Sequence, residues 1–172
     1  MFKFLVFKKI LFIILEVVMF KKWFVVFTLL LSSQAHAYQE GEMLSASAQA
    51  QLGLDPNRVS LIDFFAEWCV SCRAELPEVN ELTPELSALG VDVVGVDVDE
   101  DMAVGIAFQQ SLGLNFRVVN DDKQTLVDDF QPIGMPALYY VYQGQVLKIR
   151  YGAINHIGDV ILSDLKAMGL NQ

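Results

Sequence analysis

The sequence predicts an α/β fold in which a central mixed β-sheet is flanked by helices on both faces. After residue 55, short valine-rich apolar runs alternate with segments whose apolar residues recur at helical spacing, which is typical of such folds. The last two strand-like runs are joined by Gln143, Gly144 and Gln145, a short connection typical of an antiparallel hairpin. The length of 172 residues accommodates one ordinary domain and an additional segment.

The first half of this domain is predicted to contain two buried strands with helices between them. Residues 59–66 and 91–98 are compact apolar runs bounded by polar residues, as in buried strands. Helical spacing begins in the segment between them. Thr83 and Pro84 have the pattern of a helix N-cap and first turn, so a separate second helix is expected there, ending at Gly90.

The second half is predicted to continue this alternation and to end in a hairpin and a helix. The predicted elements are a helix at 99–112 ending near Gly113, a strand at 116–119, a helix at 121–130, strands at 137–142 and 146–151, and a helix at 154–168 stopped by Gly169. Acidic residues open the helix at 121–130, where a helix N-terminus favours negative charge. The hairpin makes the sheet mixed, because its antiparallel strands join a parallel set.

The first 37 residues (1–37) are predicted to be a targeting segment. A basic pair, an apolar stretch and an Ala-His-Ala sequence follow one another between Met19 and Ala37, which is the pattern of a signal peptide cleaved after Ala37. Met19 is therefore the expected start, and the residues before it are an upstream extension. The alternative is an uncleaved N-terminal anchor. Residues 38–54 are expected to be a tether or a short element before the domain at 55–172, and the protein is expected in the periplasm.

The charge distribution excludes several classes of partner. The chain has 12 Lys and Arg residues against 21 Asp and Glu residues, and five of the basic residues lie before position 38. The part from Tyr38 onward therefore carries seven basic and 20 acidic residues. Nucleic-acid phosphates and anionic lipid headgroups both require clusters of basic residues, so neither is an expected partner. The acidity indicates either solubility alone or a preference for basic partner surfaces.

Cys69 and Cys72 are the two cysteines of the chain, and their spacing favours chemistry over structural bracing. Two cysteines in an exported protein also fit a structural disulfide, but one that closes so short a loop restricts the unfolded chain little. A strand running directly into a helix places Cys69 at the helix N-terminus, where backbone N–H groups and the helix dipole favour the thiolate. Cys72 follows one turn later on the same face, near enough to attack a mixed disulfide.

The same spacing forms half of many zinc sites. The sequence has no second pair of cysteines, and His156 is the one histidine that remains after the predicted cleavage. Neither a metal site nor a cofactor is therefore expected.

The segment 63–73, Asp-Phe-Phe-Ala-Glu-Trp-Cys-Val-Ser-Cys-Arg, resembles the active-site segment of thioredoxins. The chain is also similar to the TlpA-like branch of exported thioredoxin-fold proteins, over roughly residues 55–170. The further motifs of this branch lie at 73–77, 95–99 and 134–136. The resemblance implies a thioredoxin-like fold with a TlpA-type helix–strand insert, which residues 101–119 would form. It also implies thiol–disulfide exchange with protein substrates.

The resemblance implies roles for single residues as well. Asp63 matches the buried carboxylate of thioredoxins and would take a proton from the resolving thiol. Pro136 matches the cis-proline opposite the cysteines, and the cis bond would leave the backbone of Met135 open to a substrate segment. Trp68 would shield the cysteines and offer an apolar contact to partners, and Pro77 matches the proline that kinks this helix. An ordinary aspartate, a trans proline and a core tryptophan are the alternatives.

The remaining candidate residues are less specific. Glu67 and Glu75 either tune the thiols or are solvated charges at the helix end, and the second interpretation is favoured. His156 is expected at the surface. Copper-carrying relatives of this fold combine a longer Cys-x-x-x-Cys spacing with a histidine, and peroxidase relatives use one cysteine in a Pro/Thr context. The chain matches neither pattern.

The predicted function is the reduction of disulfides in envelope proteins by the Cys69–Cys72 pair. TlpA-like relatives mostly keep chosen thiols reduced and are recharged by a membrane electron donor, which is the partner expected here. Val70 and Ser71 replace the histidine of strong dithiol oxidants, and Asp63 disfavours a nearby anion, so a reducing poise is expected. A dithiol oxidant and a non-catalytic binding module for a protein or a metal are the alternatives. The protein is expected to be a monomer.

Overall fold

A five-stranded mixed sheet forms the centre of the structure, a computed structural model that describes residues 37–170. The strands are β1 (Val59–Phe65), β2 (Val91–Asp97), β3 (Arg117–Asn120), β4 (Ala137–Tyr142) and β5 (Gln145–Tyr151). Their order across the sheet is β3-β2-β1-β4-β5. Strands β1, β2 and β3 are parallel, whereas β4 runs antiparallel to β1 and β5 antiparallel to β4. The predicted mixed sheet with a terminal hairpin is confirmed.

Two hydrophobic layers cover the sheet, one on each face. Because successive strand residues point to opposite faces, Leu61 and Phe65 of β1 join one layer, and Ile62 and Phe64 join the other. The first layer also contains helices α2 (Val70–Ala88), α3 (Met102–Leu112) and α5 (Ile157–Ala167), and the second contains α1 (Ala46–Leu52) and α4 (Thr125–Phe130). Every residue of β1 is buried, which explains its nearly continuous apolar sequence.

Helix α2 is one continuous helix, so the prediction of a separate helix beginning at Thr83 is wrong. Pro84 lies inside it, and the hydroxyl of Thr83 donates to the carbonyl of Val79 at 3.0 Å instead of capping a new helix. Val79 and Leu86, on either side of the proline, are both fully buried. Burying two such side chains contributes about 3–6 kcal/mol, against about 3 kcal/mol lost to an interior proline. Packing on the sheet therefore outweighs the local break.

Helix α3 and strand β3 occupy the position of the predicted insert, between β2 and α4. Strand β3 pairs in parallel with β2 at the edge of the sheet. Helix α3 begins later than predicted, because the carboxylate of Asp101 accepts a hydrogen bond from the Ala103 N–H at 2.9 Å and so caps it. Helix α4 is also shorter than predicted and begins at Thr125. The carboxylate of Asp121 accepts two backbone N–H bonds at its start, each 2.9 Å long.

The N-terminal part of the described chain packs on the second face of the sheet. Residues 38–54, a predicted tether or short element, contain helix α1, and Leu44 and Leu52 from this segment are buried. The predicted leader (1–37), its start at Met19 and the alternative anchor lie outside the described residues, except for the last residue of the leader. Within residues 37–170, no helix has the length and apolar character needed to cross a bilayer.

A buried carboxylate joins the terminal hairpin to the last helix. Asp164 of α5 accepts hydrogen bonds from Lys148 Nζ at 2.7 Å, from Arg150 Nε at 2.6 Å and from Tyr140 OH at 3.0 Å. Burial by itself would raise the pKa of Asp164, but these donors outweigh burial and lower the pKa from 3.8 to about 2. The charged carboxylate therefore holds α5 against β4 and β5 at neutral pH.

Candidate active site

The two cysteines form a disulfide at the N-terminus of α2. The S–S distance between Cys69 and Cys72 is 1.99 Å, and their Cα atoms are 5.3 Å apart. Cys69 is the N-cap of the helix, and its sulfur accepts a hydrogen bond from the Cys72 N–H at 3.2 Å. Cys69 is 6% exposed, whereas Cys72 is completely buried. Cys69 is therefore the sulfur that a substrate can reach, and Cys72 is enclosed by the core.

The helix N-terminus provides donors that favour negative charge on the Cys69 sulfur. Strand β1 ends at Phe65 and α2 begins at Val70, so the sheet leads directly into the helix. The first-turn amides of a helix lack partners within the helix and carry its positive dipole end. The Ser71 hydroxyl adds a polar neighbour 3.6 Å from the sulfur. Once the disulfide is reduced, this environment favours a thiolate at Cys69.

The Met135–Pro136 peptide bond is cis, as the resemblance implied, so the trans alternative is wrong. Strand β4 begins at the next residue, Ala137, which pairs with Phe64 near the end of β1. The register therefore places the cis bond alongside the segment that leads from β1 to the cysteines. Met135 is partly buried and packs against the layer that contains both cysteines. The Pro136 carbonyl accepts a hydrogen bond from the Gly152 N–H at 2.8 Å, so the loop after β5 also borders this edge.

Asp63 is a buried acid with no hydrogen-bond partner. It is 1% exposed, and neither carboxylate oxygen has a partner among the described residues. Strand alternation turns Asp63 toward the layer of Leu61 and Phe65, which also contains Cys72. Burial, and secondly the charge of Glu75, raises the pKa of Asp63 well above its usual 3.8. Asp63 therefore faces the same layer as the enclosed sulfur, and burial favours its protonated form.

Glu75 is the second buried acid, and its prediction as a solvated charge is wrong. It is 5% exposed, and its carboxylate faces the N–H of Ile154 in the loop after β5 at 3.5 Å. Burial raises the pKa of Glu75 from 4.5 to about 7, with the Ile154 N–H opposing and the charge of Glu78 adding to the rise. The sequence did contain a signal for the burial of Glu75. Glu75 follows Cys72 by three residues, and residues three apart share a helix face.

Glu75 is expected to titrate near pH 7 in the folded protein, because burial favours its neutral form. Carboxyl-detected NMR across pH 4–9 measures the midpoint. Glu78→Gln serves as the matched variant on the same helix, and it should lower the Glu75 midpoint because it removes a neighbouring negative charge. A Glu75 midpoint at the ordinary value of about 4.3 in both proteins is incompatible with the buried position.

Asp99 supports the segment before the cysteines, and the sequence contained no clear signal for this role. Its carboxylate accepts a hydrogen bond from the Glu67 N–H at 2.7 Å. Asp97 in turn accepts from the Asp99 N–H at 2.9 Å and from Gln109 Nε2 at 2.7 Å. Position 105 must be glycine for this arrangement, because a Cβ at Gly105 would lie 2.5 Å from the Asp97 carboxylate. The end of β2 and helix α3 thus hold the chain just before Trp68.

The exposed residues of the site are mostly apolar. Trp68 is 62% exposed, so the alternative of a core tryptophan is wrong, and Val70 and Ile133 are 83% and 78% exposed. Glu67 is exposed, as predicted, and pairs with Arg73 at 2.8 Å. His156 also lies at the surface, as predicted. Residues 37–170 contain no group of three or more His, Cys, Asp and Glu side chains arranged to hold a metal ion.

The chain matches one family model and several individual relatives that carry the name thiol-disulfide oxidoreductase. A family model described as the AhpC/TSA family matches residues 34–149. The thiol-disulfide oxidoreductase ResA of Oceanobacillus iheyensis is 34% identical over 96 residues, which are 55% of this chain and 50% of the relative. The chain thus matches about half the length of this relative. Cys69 and Cys72 lie inside the family match.

Solved structures with lower identity have the same fold. A protein from Chlorobium tepidum that carries the name thiol:disulfide interchange protein DsbE has a TM-score of 0.65 at 21% identity, covering 76% of this chain and 98% of its own. A secreted disulfide oxidoreductase of Mycobacterium tuberculosis has a TM-score of 0.57 at 20% identity, covering 69% of this chain and 85% of its own. The implied thioredoxin-like fold is therefore confirmed.

Proposed function

The chain belongs to the AhpC/TSA family, and on this premise we propose that it is a thiol–disulfide oxidoreductase that reduces disulfides of envelope proteins. The main support is the pair of sulfurs at the start of α2, of which Cys69 is 6% exposed and Cys72 is buried. An attacking sulfur must be accessible, and a resolving sulfur is best protected from other disulfides. Relatives that carry the name thiol-disulfide oxidoreductase add further support.

The proposed reaction consists of two exchanges. The Cys69 thiolate attacks one sulfur of the substrate disulfide, whose S–S bond breaks, and the released sulfur takes up a proton. Cys72 then loses its proton and attacks Cys69, which re-forms the Cys69–Cys72 bond and releases the second substrate sulfur as a thiol. Two electrons pass from the protein to the substrate in each cycle. The disulfide in the structure is the product state of this cycle.

The buried acids serve the second exchange. Cys72 is fully buried, so solvent cannot accept its proton directly. Asp63 faces the same layer without a hydrogen-bond partner, and it accepts this proton when it is ionised. Glu75, one turn after Cys72, lies between this interior and the loop after β5. Its pKa of about 7 allows it to exchange protons at neutral pH. Met135, Pro136 and the exposed Trp68 bind the substrate segment in this proposal.

The proposed direction is reduction, sustained by a membrane electron donor. Neither Asp63 nor Glu75 brings positive charge to a nearby thiolate, and a reduced form that is less stabilised makes the pair a stronger reductant. A dithiol oxidant needs the opposite environment. No bound cofactor is required, because the thiols carry both electrons. The protein acts as a monomer in this proposal.

The measurement that tests the function is the reduction potential, combined with insulin reduction. Thioredoxin has a reduction potential of about −270 mV, and the strong periplasmic oxidant has one of about −120 mV. We expect the potential of this protein to be nearer to that of thioredoxin. We also expect catalysed precipitation of reduced insulin chains in the presence of dithiothreitol. A potential near −120 mV would reverse the direction, and a protein inactive with insulin would favour the non-catalytic binding module.

Export is part of the same proposal and has its own test. The leader pattern between Met19 and Ala37 supports it. N-terminal sequencing of the protein purified from the periplasm should find Tyr38 as the first residue. Variant Ala37→Arg, which places a bulky charge at the cleavage position, should retain the leader. A wild-type protein that keeps its leader would support the uncleaved anchor instead.

A further inference from the structure

Exposed apolar side chains lie on one side of the end of the sheet where β1 leads to Cys69. Trp68, Val70 and Ile133 expose most of their side chains there. The loops that border this side, residues 131–136 and 152–156, contain no Asp, Glu, Lys or Arg. A partner therefore meets three exposed apolar side chains on this side, and the two loops add no Asp, Glu, Lys or Arg side chain.

The other side of the same end of the sheet is acidic. Strands β1, β2 and β3 are parallel, so their C-terminal ends lie together. Glu100 and Asp101 directly follow Asp99, whose carboxylate accepts the N–H of Glu67, the residue before Trp68. Glu100 and Asp101 are both exposed, and we call these two residues the acidic rim. The rim thus lies close to the exposed tryptophan and the reactive sulfur.

Most cations of the described residues are unavailable to balance this rim. Arg73, the nearest along α2, pairs with Glu67 at 2.8 Å and also lies 4.6 Å from the centre of the Phe108 ring. The other engaged cations are Arg58 with Asp92, Arg117 with the carbonyls of Leu52 and Gly53, and Lys148 and Arg150 with Asp164. Five of the seven basic residues in the described part therefore have internal partners. Of the other two, Lys123 is exposed and follows β3 at the same strand ends, where the acids Glu100, Asp101 and Asp122 outnumber it.

We propose that this site selects its protein substrates by charge, and that it prefers a disulfide in a segment with an apolar residue beside the cysteine and basic residues nearby. This inference rests on the proposed function and names its substrate class. A negative rim attracts a basic segment and repels an acidic one before contact. The exposed apolar residues then bind the apolar side chain, whose burial does not depend on charge. The attraction is screened by salt because the rim is exposed.

The test uses cyclic peptides, each closed by one intramolecular disulfide, and the pre-reduced full-length mature protein. Three peptides have Phe beside one cysteine and differ only in two flanking residues, which are Lys, Gln or Glu. A fourth has Lys flanks and Ser in place of Phe. Each reaction converts the two protein thiols to a disulfide and the peptide disulfide to two thiols, and acid quenching with chromatography gives the rate. At low salt, the Lys peptide should react roughly tenfold faster than the Glu peptide.

Two double variants, each of which removes two negative charges, test whether the acidic rim causes the preference for the Lys peptide. Glu100→Gln with Asp101→Asn neutralises the rim, and asparagine retains the helix cap. Asp55→Asn with Glu85→Gln neutralises two exposed acids elsewhere. Glu85 follows Cys72 by 13 residues, about 20 Å along the helix, and Asp55 precedes β1 at the opposite edge of the sheet.

Each outcome supports or overturns the inference. The inference is supported if the preference for the Lys peptide over the Glu peptide is lost in the rim variant and is retained in the control variant. The wild-type preference should also be lost at about 0.5 M salt. Slower reaction of the Ser peptide supports the apolar contact. Equal rates for the Lys, Gln and Glu peptides, or equal loss in both variants, overturn the rim as the selecting element while the reductase function stands. If no peptide is reduced, the proposed function itself is wrong.

Discussion

Cys72→Ser is expected to stop turnover but to preserve the first attack, so that the protein accumulates as a mixed disulfide with its substrate. Cys69 keeps its place as the N-cap of α2, and it is the accessible sulfur of the pair. The chain has two cysteines, so the variant has no other thiol that can release the substrate. Non-reducing gels and intact mass after incubation with insulin should show the covalent adduct.

Cys69→Ser is expected to lose both turnover and adduct, because the remaining sulfur of Cys72 is completely buried. Loss of a covalent nucleophile typically lowers the rate by roughly three orders of magnitude or more. Ser71→Ala is the matched control, since the Ser71 hydroxyl lies 3.6 Å from the same sulfur without a covalent role. We expect at most about a fivefold change there, the effect of one neutral hydrogen bond. Equal adduct formation by both cysteine variants would contradict the assignment of attacking and resolving sulfurs.

Asp63→Asn is expected to slow the second exchange by roughly 100-fold, the usual contribution of a positioned general base. The first attack should keep its rate, because Cys69 receives its stabilisation from the helix N-terminus rather than from Asp63. Rapid acid quenching with a disulfide peptide should therefore reveal a mixed disulfide that persists in the variant and decays quickly in the wild type. Unchanged decay in Asp63→Asn would remove Asp63 from the proton transfer.

The same variant should be more stable than the wild type at alkaline pH. Burial and the charge of Glu75 raise the pKa of Asp63 in the folded protein, whereas an unfolded aspartate titrates near about 3.9. The folded state therefore binds this proton more tightly, and stability is lost as the pH rises from about 4 through the folded-state pKa. Asparagine has no such proton. Urea unfolding should show a gain on the order of 2 kcal/mol at pH 8 and almost none at pH 4.

Asp121→Asn provides the contrast, because Asp121 is equally buried but fully hydrogen-bonded. Both aspartates are 1% exposed. The Asp121 carboxylate accepts from the Thr125 hydroxyl and from two backbone N–H groups of α4, each at 2.9 Å. Asparagine offers one acceptor oxygen in place of two, so this variant should lose about 1 kcal/mol. If both substitutions stabilise the protein at pH 8, unpaired oxygens are not the reason for the gain at Asp63.

Most of the site could be predicted because its signals are local. Cys69 and Cys72 are one helical turn apart, and Asp63 is an acid inside an apolar run, which has few structural explanations. The cis bond before Pro136 was implied by the resemblance and is present in the structure. Strand bounds were predicted to within about one or two residues, because buried strands have continuous apolar sequences with polar ends.

The errors have a common physical cause, which is burial by distant segments. Thr83 and Pro84 have a convincing local start signal, but Val79 and Leu86 pack on the same sheet face and keep α2 continuous. Glu75 has the sequence of a surface charge. It is buried because the loop after β5, 79 residues away, closes over the helix and presents the Ile154 N–H to its carboxylate.

The α/β architecture, the reactive sulfur pair and the charge of the domain can all be inferred from the amino-acid sequence, because periodicity, spacing and composition are properties of neighbouring residues. The difference in exposure between the two sulfurs and the burial of Asp63 and Glu75 become visible in the folded chain. These properties depend on the exclusion of solvent and on the packing of segments that are distant in the sequence. No local pattern encodes them.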